Sequence, residues 1–149
     1  MESYKHILCA MDFSEHCEAA AKRAADAARH HGAKLTLLHV VEYFPEDRSN
    51  VDIAPEDVDP RAYREQKALA ALQGFSRQLG YDYDKLAQEV RFSTNSAKHE
   101  IVEFAKLQGA DLIVLATHGR HGIGSMLGST ACAVTHNAPC DVLTVRAGD

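Results

Sequence analysis

Five short apolar runs, each separated from the next by enough chain to form a helix, constrain this sequence more than any other feature. They are Ile7–Met11, Lys34–Val41, Ala87–Phe92, Leu112–Ala116 and Asp141–Val145. Each is too short for a buried helix and reads as a strand. Strands joined by helix-length crossovers must run parallel, and right-handed crossovers put helices on both faces of the sheet. The expectation is an α/β fold built on an open parallel sheet. Its ligand site lies outside the strand C-termini, where the strand order reverses.

The intervening segments carry helix punctuation. Ser14 is placed to cap a helix over Glu15–His31, with Gly32 as its C-terminal stop. Alanine recurs along that helix, so its backbone can lie close to the sheet. Asp59 and Pro60 open a second helix, whose stripe Ala68, Leu72, Phe75 and Leu79 runs to Gly80. Ser96 caps a third, with Ile101, Phe104 and Ala105 inward and Gly109 at its end. Between the second strand and the second helix, Glu42–Asp59 reads as an acidic surface loop of about 18 residues, longer than most connections in compact domains.

The fourth strand runs into glycines: Gly119, Gly122, Gly124 and Gly128 follow Leu112–Ala116, and Ser129 or Thr130 is placed to cap a final helix through His136–Asn137. Strand, glycine loop and helix start together gather backbone N–H groups around an anion, most often a phosphate. Asp12 ends the first strand and faces the same crevice. No Gly-Lys-Ser/Thr occurs, which argues against a Walker A loop. The loop follows the fourth strand rather than the first and lacks the acidic partner of a dinucleotide fold. Neither a Gly-x-Ser-x-Gly elbow nor a His-Glu-x-x-His motif is present, so serine hydrolase and zinc chemistry are not expected. His118 and His121 are read as solvated loop residues.

A net charge of −5, with no run of Lys or Arg, lacks the footprint of a nucleic-acid or anionic-membrane binder. The N-terminal apolar run is too short for a signal-peptide core or a membrane span, so a cytoplasmic location is expected. The 149 residues make one domain, 1–149. Cys9, Cys17, Cys132 and Cys140 form no CxxC and read as buried, reduced thiols.

Segments from end to end of the chain resemble the universal stress protein family, closest to its short, single-domain bacterial type A branch. They are Tyr4–Ser14, Leu37–Val41, Asp111–Gly119, Gly128-Ser129 and Ala138–Val145. The resemblance implies a Rossmann-like, adenine-nucleotide alpha-hydrolase-like sheet of five strands in the order 3-2-1-4-5. It also implies a homodimer formed through the last strand, Val142 to Val145. Family members that bind ATP carry Gly-x2-Gly-x9-Gly-Ser/Thr after the fourth strand. Here Gly119 and Gly122 match the first part and Gly128-Ser129 the last, with only the five residues Ile123–Leu127 between them. By similarity Asp12 approaches ribose and phosphates, Val41 offers backbone groups to adenine, and Gly119, Gly122, Gly128 and Ser129 hold phosphate. The spacer is four residues shorter than the pattern, about one helical turn.

The function implied is that of a cytoplasmic, homodimeric stress-response protein acting through protein partners, with a degenerate or weak adenine-nucleotide site for ATP with Mg²⁺ or Mn²⁺. The alternative is an ATP-binding switch with slow or no hydrolysis. Nucleotidyl transfer ranks last, because its paired-histidine signature belongs after a first strand. The residues form no acid/base or nucleophile constellation, so slow ATP hydrolysis is the most activity expected.

Overall fold

The computed structural model describes residues 3–42, 59–81, 83–118 and 127–146. Its elements are β1 (His6–Ala10), α1 (Cys17–His31), β2 (Lys34–Glu42), α2 (Pro60–Leu79), β3 (Leu86–Ser93), α3 (Ala97–Gln108), β4 (Leu112–Ala116), α4 (Ser129–Asn137) and β5 (Asp141–Val145), with a 3-10 turn at Tyr83–Lys85 before β3. All strand pairs are parallel and the order is β3-β2-β1-β4-β5, as the alternation and the resemblance implied. β2 takes in Glu42 and α2 starts after Asp59, so the segment read as a long loop reduces to residues 43–58, which lie outside the described residues.

Alternation along the strands sorts the core into two layers. Ile7, Cys9, Leu35, Leu37, Leu112 and Val114 meet α1 and α2. Leu8, Leu38, Val40, Ile113 and Leu115 meet α3 and α4 on the opposite face. The alanines of α1 do what their size allows: Ala20, Ala21, Ala24, Ala25 and Ala28 are all at most 1% exposed. On α2, Leu72 is buried, while Phe75 and Leu79 pack partly buried against the same cluster. Three helices stop as expected, at Gly32, Gly80 and Gly109, each with a φ of 61 to 69°. That left-handed conformation favours glycine.

The starts of the helices divide. Asp59 caps α2 by accepting from the Arg61 N–H at 3.3 Å, and Ser96 caps α3 by accepting from the His99 N–H at 3.3 Å. Ser14 does not cap α1. The helix starts at Cys17 with His16 at the cap position and no side-chain cap. The Ser14 carbonyl accepts from the Cys17 N–H at 3.2 Å in a turn that precedes the helix, and its hydroxyl oxygen is buried without a partner. Similarly, Ser129 is the first residue of α4 rather than its cap; Gly128 holds that position.

The cysteines also depart from expectation. Cys9 and Cys17 are buried, but Cys132 is exposed and Cys140 half-buried; all four are free thiols. Cys132 lies on the outer face of α4, away from Ala131 and Val134, which pack inward.

At the N-terminal edge of the sheet, the Asp111 carboxylate accepts from the Lys5 and His6 N–H groups at 2.8 and 3.0 Å, tying the start of β4 to that of β1. His6 contacts the Gln108 carbonyl through Nδ1 at 3.2 Å and the Thr36 hydroxyl through Nε2 at 2.8 Å. A carbonyl only accepts, so Nδ1 carries the proton and Nε2 accepts from Thr36, which is 2% exposed. Burial lowers the His6 pKa below its usual value, aided by Lys34; the Gln108 bond and Asp111 oppose this less strongly. The unfolded chain therefore binds this proton more readily than the fold does, and the His6 contribution to stability is complete above pH ~6.5 and lost as pH falls below it. Denaturant unfolding at pH 7.5 and pH 5 is expected to show this loss, and His6→Gln to reduce it. Equal pH dependence in the two proteins rules the assignment out.

Candidate functional site

The strand order reverses between β1 and β4, and the chain leaves these neighbours toward opposite faces. A cleft of about 820 Å³ opens there, above the C-terminal ends of β1, β2 and β4. Asp12, Val41, Gly128 and Ser129 all line it. Gly119 and Gly122, together with residues 123–126 of the short spacer and His121, lie outside the described residues.

The β1 edge of the cleft is shaped by a tight turn. Met11 donates its N–H to the Leu38 carbonyl at 2.7 Å, continuing the sheet, and its own carbonyl accepts from His39 Nδ1 at 2.7 Å. Asp12 then accepts from the Ser14 N–H at 2.9 Å, folding the chain back around Phe13. Phe13 pays for this with a φ of 60°, which costs a bulky non-glycine residue about 1–2 kcal/mol. Its ring is tilted against His39 with centroids 4.3 Å apart and stacks near Phe75 at 6.2 Å, and these contacts hold the turn. Phe13 and His39 both line the cleft, and neither stood out in the sequence.

On β2, Val41 is 5% exposed and reaches the cleft at the strand end. Next to it, Glu42 accepts from the Ala97 N–H at 3.1 Å and so holds the first turn of α3. On the β4 side, Thr117 donates its N–H to the Val145 carbonyl at 2.9 Å and accepts from the Gly128 N–H at 2.7 Å. Gly128 is thereby drawn back to the strand end, and α4 begins at the cleft. Among the described residues no side chain caps α4, whose first residues Ser129, Thr130 and Ala131 line the cleft. An uncapped helix start presents orphan N–H groups and the positive end of the helix dipole, the usual chemistry of a phosphate site.

His118 is not the solvated loop residue expected. Its Nδ1 lies 3.1 Å from the Thr117 hydroxyl, and its Nε2 is buried without a partner. Cys17 also lines the cleft, but burial, with Asp12 nearby, pushes its thiol up to about 11, so it stays protonated and is a poor nucleophile at neutral pH. Among the described residues, no three His, Cys, Asp or Glu side chains come together as a metal site. The cleft's far wall is α2, which contributes Arg64, Lys67, Ala68 and Ala71. The two cations were not singled out in the sequence, where Arg64 and Lys67, with Glu65 between them, look like an ordinary charged helix face.

Residues 3–146 match the model of the universal stress protein family. Universal stress protein A homolog 1 of Coxiella burnetii is 35% identical over 142 residues, covering 95% of this chain and 96% of the relative. Universal stress protein UspA from Lactobacillus plantarum superposes with a TM-score of 0.73 at 29% identity, covering 98% of this chain and 100% of that one. A universal stress protein solved in complex with cAMP has the same fold, with a TM-score of 0.70, 22% identity and coverage of 97% and 98%.

Proposed function

Since the chain belongs to the universal stress protein family, we propose that it is a cytoplasmic, homodimeric stress-response protein that binds an adenine nucleotide weakly and acts through protein partners. One observation carries the nucleotide reading: the uncapped start of α4 opens onto the same cleft as Asp12 and Val41. The phosphates lie against the Ser129 amide at the start of α4, next to Gly128, whose own N–H is held by the Thr117 carbonyl; the ribose lies near Asp12 and the adenine along Val41. A universal stress protein of the same fold is solved in complex with cAMP, which supports an adenine nucleotide as the class of ligand. Among the described residues, Asp12 and Glu42 are the carboxylates that line the cleft, so Mg²⁺ or Mn²⁺ enters on the nucleotide's phosphates, with Asp12 as the protein's partner for it. We read the output as occupancy rather than turnover, since the Cys17 thiol lining the cleft is held protonated and is a poor nucleophile.

The dimer reading is supported by β5, which among the described residues pairs with β4 on one side only and leaves Val142, Leu143 and Thr144 half-buried at the sheet's edge. Sedimentation is expected to give twice the 16.3 kDa chain mass; a species of chain mass removes this part of the reading.

A switch reading is favoured by a second observation. Thr117 bonds both Gly128, beside the phosphate position, and Val145, the last residue of β5, so a shift at α4 reaches the dimer edge through two hydrogen bonds. Calorimetric titration of ATP with Mg²⁺, and of AMP alone, tests the whole proposal. Saturable binding in the micromolar range is the expected result. No heat from either ligand at millimolar concentration overturns the nucleotide reading and leaves function with the dimer and its partners.

A further inference from the structure

The part of the cleft that the nucleotide reading leaves unused is its α2 wall. Arg61, Arg64 and Lys67 recur every third residue along the first half of α2, which places them near one face of the helix. α2 has no acidic residue in its first turn, where Arg61 stands against the sign that the helix dipole favours; Arg64 and Lys67 follow beyond that turn, with Glu65 between them. The whole chain carries a net charge of −5, so a cleft wall with two cationic side chains runs against its overall balance.

The three cations have different surroundings. The Arg61 guanidinium lies 4.6 Å from the Phe92 ring centroid, on the β3 side. Arg64 and Lys67 instead line the cleft, with Ala68 and Ala71 beside them on the same helix. Arg64 is half-buried and Lys67 exposed, and both take part in other interactions within the chain, so neither is simply a solvated surface charge. Among the described residues, two carboxylates share the cleft, and each accepts from a backbone N–H: Asp12 from Ser14 at 2.9 Å and Glu42 from Ala97 at 3.1 Å. α2 belongs to one face of the sheet and α4 to the other. The cleft therefore has cationic side chains on one wall and an uncapped helix start on the opposite one.

We propose that Arg64 and Lys67 form a second anion-binding wall, so that the preferred ligand carries an anionic group beyond the phosphate held at α4, as an adenosine phosphorylated on both its 3′ and 5′ oxygens does. This rests on the nucleotide reading above. It adds the ligand class, namely a nucleotide with anionic groups at two separated positions. A planar guanidinium and an ammonium together suit a phosphate, one through paired N–H donors and the other as a point charge.

The test is calorimetric titration of 5′-AMP and adenosine 3′,5′-bisphosphate into the native protein and into the Arg64→Gln, Lys67→Gln double variant. In the native protein the bisphosphate is expected to bind about tenfold more tightly than AMP, and raising the salt should shrink that margin. In the double variant the margin is expected to fall within about twofold, while AMP itself changes by less than about threefold. Arg64→Lys, which keeps the charge, is expected to retain most of the preference and serves should the double variant fail to fold. A bisphosphate preference that survives in the double variant, or is missing from the native protein while AMP binds, overturns the second wall and leaves the nucleotide reading standing. Failure of both ligands to bind the native protein overturns the nucleotide reading and this inference with it.

Discussion

Ala24→Leu is expected to destabilise the protein by about 3 kcal/mol, lowering the melting temperature by about 6–12 °C. Ala24 is 0% exposed in the middle of the buried alanine face of α1, within the cluster that includes Ile7, Val114 and Leu37. Those strand residues are themselves fully buried, so a larger side chain has no space to enter except by moving the helix off the sheet. The displacement reaches the cleft as well, because α1 follows the Phe13 turn and its first residue, Cys17, is one of the lining residues. Arg23→Leu, one position along on the exposed side, is the control and is expected to change stability by less than about 0.5 kcal/mol. Thermal unfolding of the two variants decides the matter: equal melting temperatures mean that the alanine face has slack the packing does not show.

Ser129→Pro is expected to weaken nucleotide binding by about 10- to 100-fold while leaving the fold intact. Ser129 is the first residue of α4, where proline is well tolerated because its fixed φ suits the helix and no intrahelical N–H bond is lost. The preceding Gly128 has φ −64° and ψ 162°, an extended conformation compatible with a following proline. The substitution therefore removes one backbone donor from the proposed phosphate position and leaves the helix in place. The expected loss matches a charge-assisted hydrogen bond of about 1.5–3 kcal/mol. Ser129→Ala keeps the N–H and is expected to bind within a few-fold of native, which separates the amide from the hydroxyl. Should calorimetry find Ser129→Pro binding as tightly as the native protein, the phosphate does not lie at this amide.

The ease of reading the sequence depended on how local each signal was. β4 and β5 are found at Leu112–Ala116 and Asp141–Val145, the boundaries read from the sequence; β4 was the plainer of the two, because a strand buried by helices on both faces must be apolar throughout, whereas β5 at the sheet's edge carries Asp141 and Thr144. Asp59-Pro60 and Ser96 announced helix starts through chemistry confined to a few residues. Ser14 carried the same kind of signal and does something else, because Asp12 takes the Ser14 N–H and forms a turn before α1 can begin. Cys132 and Cys140 sit in segments that look apolar in sequence, but their exposure depends on the side of α4 and the edge of the sheet on which they fall.

The candidate site divides in the same way. Asp12 and the Gly128-Ser129 pair were legible because a polar or glycine-rich break directly follows an apolar strand. His39 was not, since a single histidine inside a strand has no distinguishing spacing, and its place in the cleft follows from the bond to the Met11 carbonyl on the neighbouring strand. Phe13 could not be assigned a left-handed backbone from its identity, because that conformation is disfavoured for phenylalanine and is held here by the Asp12–Ser14 turn and by ring contacts with His39 and Phe75.

By itself, then, the sequence determined the kind of sheet and the ends of the strands at which a ligand site must lie, since hydrophobic period, glycine stops and crossover lengths all act within one segment of chain. The tertiary structure alone decided which side chains meet across that crevice. Arg64 and Lys67 come from a helix on one face and Ser129 from a helix on the other, more than sixty positions along the chain, and only the reversal of strand order between β1 and β4 sets them around one space. The physical reason is that such contacts depend on long-range packing, which no local propensity encodes.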